Sequence, residues 1–222
     1  MSIAPGTLRH QYVICRHGKS VANDQKIIVS SLISGCSSQY SLTRAGEDQC
    51  QQAAQELAAH LSTTGQPQIL LLTSPFSRAS ATAKIFHAHF STVPEICPRL
   101  ICHGAPDVAI QLRERYFGAF ELQGDSNYDV VWARDSSEGP RHQERGSESV
   151  LSVWLRLLDL VLLLERRLTL PTVIVLFSHG DTLQILQTGF SGRPLESHRS
   201  LPHLNQAEWR VLNGAFEVQS RL

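Results

Sequence analysis

Three short apolar runs punctuate the 222-residue chain: Gln11 to Cys15 (QYVIC), Gln68 to Thr73 (QILLLT) and Pro171 to Phe177 (PTVIVLF). They are nearly continuous in hydrophobic residues rather than alternating. That pattern predicts strands covered on both faces. Longer segments of good helix formers separate them. Leu42 to Leu61 is rich in Ala and Gln, and Ser77 to Phe90 reads as a helix with Ser77 as its N-cap. Ser147 is expected to cap a long helix through Leu168, and a further helix runs from Asp181 to about Thr188. A β-like run spans Glu95 to Ile101, and Glu208 to Leu212 and Ala215 to Gln219 read as edge strands. Residues from His103 to Gly146 carry no clear period and read as a long, irregular, functional excursion. Strands alternating with helices predict an α/β fold: a three-layer α/β/α sandwich around a mostly parallel central sheet.

In such sheets ligands sit beyond the carboxyl ends of the strands. The three apolar runs lead into Arg16-His17-Gly18, Thr73-Ser74-Pro75-Phe76-Ser77-Arg78 and Ser178-His179-Gly180-Asp181. The fold therefore brings Arg16, His17, Arg78 and His179 to one sheet edge. Arginine offers a planar fork suited to phosphate oxygens. Gly18 and Gly180 would allow backbone to approach a ligand, and the helix from about Asp181 would aim amide donors at an anion. Together these residues read as a phosphate pocket with two guanidiniums and two imidazoles.

Composition narrows the partners. Lys plus Arg and Asp plus Glu both total 20, so the formal charge is zero. A strongly basic nucleic-acid-binding domain is excluded, as is a polybasic membrane surface. The most apolar stretch, Val150 to Leu164, is too short to span a bilayer and contains Arg156 and Asp159. The five cysteines form no CxxC pair, and the N-terminal residues lack the apolar run of a signal peptide, so a cytoplasmic location is expected. None of the cysteines has an Arg six residues on, which disfavours cysteine phosphatase chemistry, and no GxSxG elbow or Walker-A loop occurs.

Several segments, in order, resemble the histidine phosphatase superfamily, also called the phosphoglycerate mutase-like family. Arg16-His17-Gly18-Lys19-Ser20-Val21-Ala22-Asn23 resembles its RHGxSxxN opening, and Ser41-Leu42-Thr43-Arg44-Ala45-Gly46 its LTxxG helix start. Thr73 to Ala79, continued by Thr82-Ala83, resembles SPxxRAxxTA. Leu112 to Gly118 resembles LxExxxG, Gly146-Ser147-Glu148-Ser149 resembles GES, and Val175 to Gly180 resembles the VSHG strand end. The resemblance covers nearly the whole chain and implies one phosphoglycerate mutase-like domain over 1–222. It implies that His17 is the nucleophile, forming a phosphohistidine. Arg16, Arg78 and His179 would hold the phosphoryl oxygens, and Glu114 would protonate the leaving group, with Glu121 as the fallback acid. Asn23 and Gly180 are further implied substrate contacts. Neither metal nor cofactor is expected, and the partner is a small phosphorylated substrate.

Family mutases carry a Tyr three residues after the acid and an Arg pair in a longer insertion. Here Phe117 stands at the first position, and Arg166-Arg167 lies late in the long helix instead. These departures favour a phosphatase. Mutase-type phosphoryl transfer and a non-catalytic phosphoryl-binding protein remain the other readings. Arg115, Tyr116, Phe117 and Phe120 would either contact the non-phosphate part of the substrate or pack a core. Lys19 and Lys26 are expected to be solvated. His87-Ala88-His89 is unsuited to a metal because a two-residue spacing splits a helix face. His10, His60, His103, His142, His198 and His203 have no matching partners in sequence. The substrate and the oligomeric state are not legible in the sequence.

Overall fold

The three apolar runs pair side by side. The computed structural model describes residues 8–212, apart from 66 and 103. In chain order its elements are β1 (Gln11–Arg16), α1 (Val21–Gln25), α2 (Leu32–Cys36), α3 (Arg44–Thr63), β2 (Gln68–Thr73) and α4 (Ser77–Phe90). They continue with β3 (Asp107–Val108), α5 (Asn127–Glu138), α6 (Val150–Arg167), β4 (Thr172–Ser178), α7 (Gly180–Phe190) and β5 (Trp209–Val211). The sheet order is β3-β2-β4-β1-β5. β4 runs parallel to both β1 and β2, β3 is parallel to β2, and only β5 is antiparallel, against β1. The registers Arg16↔Ser178 and Thr73↔Phe177 end the three central strands at one level. That alignment gathers their polar C-terminal signatures.

Successive strand residues point to opposite faces, so each strand feeds two cores. Val13, Leu71, Val175 and Phe177 pack with Leu57 of α3 and Phe86 of α4. Tyr12, Ile14, Leu72 and Ile174 pack with Leu157 of α6 and Leu186 of α7. The result is three layers, α/β/α. Burying each such side chain contributes roughly 1.5–3 kcal/mol. α3 shows why its sequence is helical: Cys50, Ala53, Ala54, Leu57, Ala58 and Leu61 form one buried stripe, and the Thr43 hydroxyl accepts from Gly46 N–H as the N-cap.

Four expectations need correction. Ser77 does not cap α4; it is the first helical residue, and its hydroxyl donates to the Ser37 carbonyl (2.7 Å). Ser149, not Ser147, caps α6, accepting from Ser152 N–H (3.1 Å). Glu95 to Ile101 is not a strand. Pro94 and Pro98 remove ladder donors, leaving a 3-10 turn at Cys97–Arg99 and one bridge from Leu100 to Ile69. The excursion from 103 to 146 is not wholly irregular, because it contains α5. The inward face of α5 is Tyr128, Val131, Trp132 and Asp135, with correct helical spacing but a buried carboxylate at its last position. Ala215 to Gln219 lies outside the described residues. Among those residues, no helix is long and apolar enough to cross a membrane.

Candidate active site

β1 and β4 deliver the two histidines directly. His17 N–H donates to the Ser178 carbonyl (3.1 Å), continuing the ladder one residue past β1. The His17 and His179 rings then meet edge to face, 5.2 Å apart. Gly18 plays a different part from the one expected. Its N–H is taken by Thr82 Oγ1 (3.1 Å), and a Cβ there would lie 2.5 Å from the Gly46 carbonyl oxygen. The glycine lets the loop pack against the start of α3 rather than admitting a ligand. Gly180 is the glycine at the cavity: a Cβ would sit 2.9 Å from His203 Cε1.

α4 carries Arg78 inward on its first turn. A cavity of about 220 Å³ opens there, lined by Arg16, His17, Asn23, Arg78, Glu114 and Gly180, and by Asp125, Tyr128, Trp132, Asp181 and His203. A sealed apolar cavity of about 150 Å³ already holds a benzene-sized molecule. The space therefore suits a phosphoryl group on a small alcohol. Of the expected site residues Arg16, His17, Asn23, Arg78, Glu114, His179 and Gly180, His179 alone is absent from this wall. It is fully buried behind His17, held by Phe76 edge-on and by Ser74 Oγ, 2.8 Å from its Nε2.

Hydrogen bonds fix the chemistry of each group. His17 Nδ1 lies 2.7 Å from the Gly18 carbonyl, an acceptor only, so this nitrogen carries the ring proton. The Nε2 lone pair is left facing the site, where Arg78 Nε–H donates to it (3.1 Å). Burial, Arg78 and Arg16 together push the His17 pKa well down, which keeps the ring neutral. His179 is lowered likewise, by burial first and then Arg78 and His17. Arg16 Nε and Arg78 Nη1 are buried without a protein partner. Buried guanidinium N–H groups left open in this way are costly unless an anion completes them.

Glu114 follows the 3-10 turn Ile110–Leu112, which Ser178 Oγ–H fastens to β4 through the Leu112 carbonyl (2.7 Å). Its Oε1 accepts from Arg115 N–H (2.9 Å) and Thr182 Oγ1–H (3.0 Å). With Oε1 saturated by donors, Oε2 is the oxygen that takes the acid proton. Burial, and next the neighbouring Asp181 charge, raise its pKa. Glu121 does not line the cavity. It binds Ser30 N–H (2.8 Å), Ser30 Oγ–H (2.6 Å) and Ser34 Oγ–H, and against its partial burial these bonds hold its pKa down.

Of the two roles open to the aromatics, Phe117 and Phe120 take the core one. Phe117 and Phe120 are buried with Ile28 and Val131, and neither they nor Arg115 and Tyr116 line the cavity. Arg115 is 0% exposed, bonded twice to Asp135 (2.6 and 2.8 Å) and to Asp181 (3.2 Å). Tyr128 and Trp132 form the aromatic wall instead, stacked at 5.2 Å, with Arg199 3.6 Å from the Trp132 ring centroid. His203, unpaired in sequence, meets Arg16 Nη1 at 2.8 Å. Asn23 reaches the cavity while its Oδ1 accepts from Ser20 N–H (3.0 Å) and Ser20 Oγ–H (2.9 Å). Lys19 pairs with Asp24 (2.5 Å), and neither it nor Lys26 lines the wall. Among the described residues, no cluster of three or more His, Cys, Asp or Glu side chains could hold a metal ion.

A family model, the histidine phosphatase superfamily (branch 1), matches residues 12–217. The chain belongs to that superfamily. A search of the curated proteins found no significant match for this histidine phosphatase family member. Solved structures share its fold. A mycobacterial glucosyl-3-phosphoglycerate phosphatase is 22% identical, with 90% of this chain and 88% of that one covered at a TM-score of 0.67. Bacillus stearothermophilus YhfR is 20% identical, with 96% of each chain covered and a TM-score of 0.67.

Proposed function

We propose that this member of the histidine phosphatase superfamily hydrolyses small phosphate monoesters without a metal, through a phosphohistidine on His17. The observation that carries this reading is the pairing inside one cavity of a neutral His17, its Nε2 held by Arg78 Nε–H, with buried guanidinium N–H groups of Arg16 and Arg78 that lack protein partners. As the phosphoryl group enters, Arg78 Nε–H passes from Nε2 to a phosphoryl oxygen, and the freed Nε2 lone pair attacks phosphorus as the P–O ester bond breaks. The leaving oxygen takes the proton from Glu114. Arg16 and Arg78 hold the phosphoryl oxygens and stabilise the charge that grows on them, while His179, outside the cavity wall, packs edge to face against the His17 ring. Water then attacks the phosphohistidine, passing a proton to the Glu114 carboxylate. The N–P bond breaks, inorganic phosphate leaves and neutral His17 returns.

The mycobacterial glucosyl-3-phosphoglycerate phosphatase has been solved with VO3 and with inorganic phosphate, which fits an anion-binding site in this fold. The exposed Asp125 lies in the cavity lining, giving substrate and water a way in from solvent. The test is phosphate release from an aryl phosphate with and without EDTA. Release is expected to resist EDTA and to vanish in His17→Ala. Activity that EDTA abolishes, or that survives in His17→Ala, contradicts the proposal. Isomerisation of a phosphoglycerate without release of phosphate would assign the mutase reading instead.

A further inference from the structure

We infer that His203 is a positioning residue, which together with Gln184 sets the orientation of the Arg16 guanidinium toward the phosphoryl group; this rests on the role given to Arg16 above. Gln184 is a buried residue of α7. Its Nε2–H donates to the Leu201 carbonyl (2.6 Å), so its Oε1 is the end turned to the other side, where it also accepts from Arg199 Nη1. Oε1 can only accept. His203 Nδ1 lies 3.0 Å from it and therefore carries the ring proton. The opposite nitrogen, Nε2, is then an acceptor, and it receives Arg16 Nη1–H at 2.8 Å. The same Nη1 donates to the Leu204 carbonyl (2.8 Å). Both of its hydrogens are committed, and the guanidinium plane is fixed.

Fixing Nη1 in this way leaves Arg16 Nε buried without a partner at the cavity. The ring stays neutral because partial burial, and then the charges of Arg16 and Arg199, lower its pKa to about 4. A neutral ring is required, since a second proton on Nε2 would replace the acceptor with a donor facing a cation. Gly180 makes the arrangement sterically possible. A Cβ there would lie 2.9 Å from His203 Cε1 and 3.4 Å from Arg16 Nε, within the gap between the two side chains. His203 itself is exposed on the cavity side, so it is not needed to fill a core. A histidine thus tied to the α7 helix turns a flexible arginine into a preorganised donor, and small errors in such placement cost about 100-fold in rate.

A double-mutant cycle tests this with inorganic phosphate affinity, measured by calorimetry, and with aryl phosphate kcat/KM as readouts. His203→Ala is expected to weaken phosphate binding and lower kcat/KM by about 10–100-fold. In an Arg16→Ala background it should change neither, because nothing remains to be positioned. His203→Gln, which can still accept from Arg16 and donate to Gln184, should restore most of the loss. Thermal melting checks that each variant folds, and Gln184→Leu provides a second route to freeing the ring, with the same expected loss. An equal effect of His203→Ala with and without Arg16, or no effect at all, overturns the inference while the hydrolytic reading stands. A wild-type chain that neither binds phosphate nor hydrolyses the ester overturns both.

Discussion

At the scale of single residues, the two groups that exchange protons are set apart by their surroundings. His17 must be neutral to attack, and burial beside two guanidiniums lowers its pKa from 6.5. Loss of activity on acidification therefore falls well below that value. Glu114 must be protonated to act as the acid, and burial and Asp181 raise its pKa from 4.5, so the alkaline limb is displaced upward. The profile of kcat/KM should be a bell whose alkaline limb depends on Glu114. Glu114→Gln is expected to remove that limb and to lower kcat/KM for an alkyl phosphate, which reports phosphoenzyme formation, by about 10²–10⁴-fold. The loss should be much smaller for a nitrophenyl ester, whose leaving group needs no proton. Equal losses for both esters would remove Glu114 from the acid role. The resemblance ranks Glu114 ahead of Glu121, although the two lie seven residues apart on one segment. The structure sets them apart: Glu114 lines the cavity, while Glu121 does not and is bonded to Ser30 and Ser34.

At the scale of elements, β1, β2, β4 and β5 and the helices α3 and α4 were legible from their apolar runs and helical period, whereas β3, two exposed residues, was not. α5 was not, because its inward face ends on Asp135. That carboxylate lies against Arg115, which in turn reaches Asp181 at the start of α7. Asp181 also receives Trp132 Nε1–H (3.0 Å) and lies 3.3 Å from His198 Nε2. Against its burial, His198, Arg115 and Arg199 hold its pKa well below the usual carboxylate range. The aromatic wall is thus fastened to the helix that follows His179. Removing one member of a buried pair strands the other charge. Asp135→Ala should lower the unfolding free energy in urea by about 3 kcal/mol and raise KM by loosening Tyr128 and Trp132. A change under about 1 kcal/mol would mean that α5 is held by its apolar contacts alone.

At the scale of the whole molecule, zero formal charge goes with two buried guanidiniums in one cavity, because Arg16 and Arg78 are gathered at the strand ends by the fold rather than by composition. Motifs more than 60 residues apart could be placed together from the sequence because β/α alternation puts the carboxyl ends of the parallel strands on one edge. The contribution of His203 was hidden for the opposite reason. It comes from a segment between α7 and β5 with no period of its own, and only the folded chain brings it to Arg16. All of these features converge on a covalent step at His17. The most direct measurement is rapid acid-free quenching of the intact chain during turnover of a phosphate ester, followed by mass mapping. The account predicts a phosphoryl adduct, acid-labile and base-stable, on the peptide containing His17, formed within the turnover time and absent from His17→Asn. Steady hydrolysis with no adduct formed at a competent rate, or an adduct on any other residue, would contradict it.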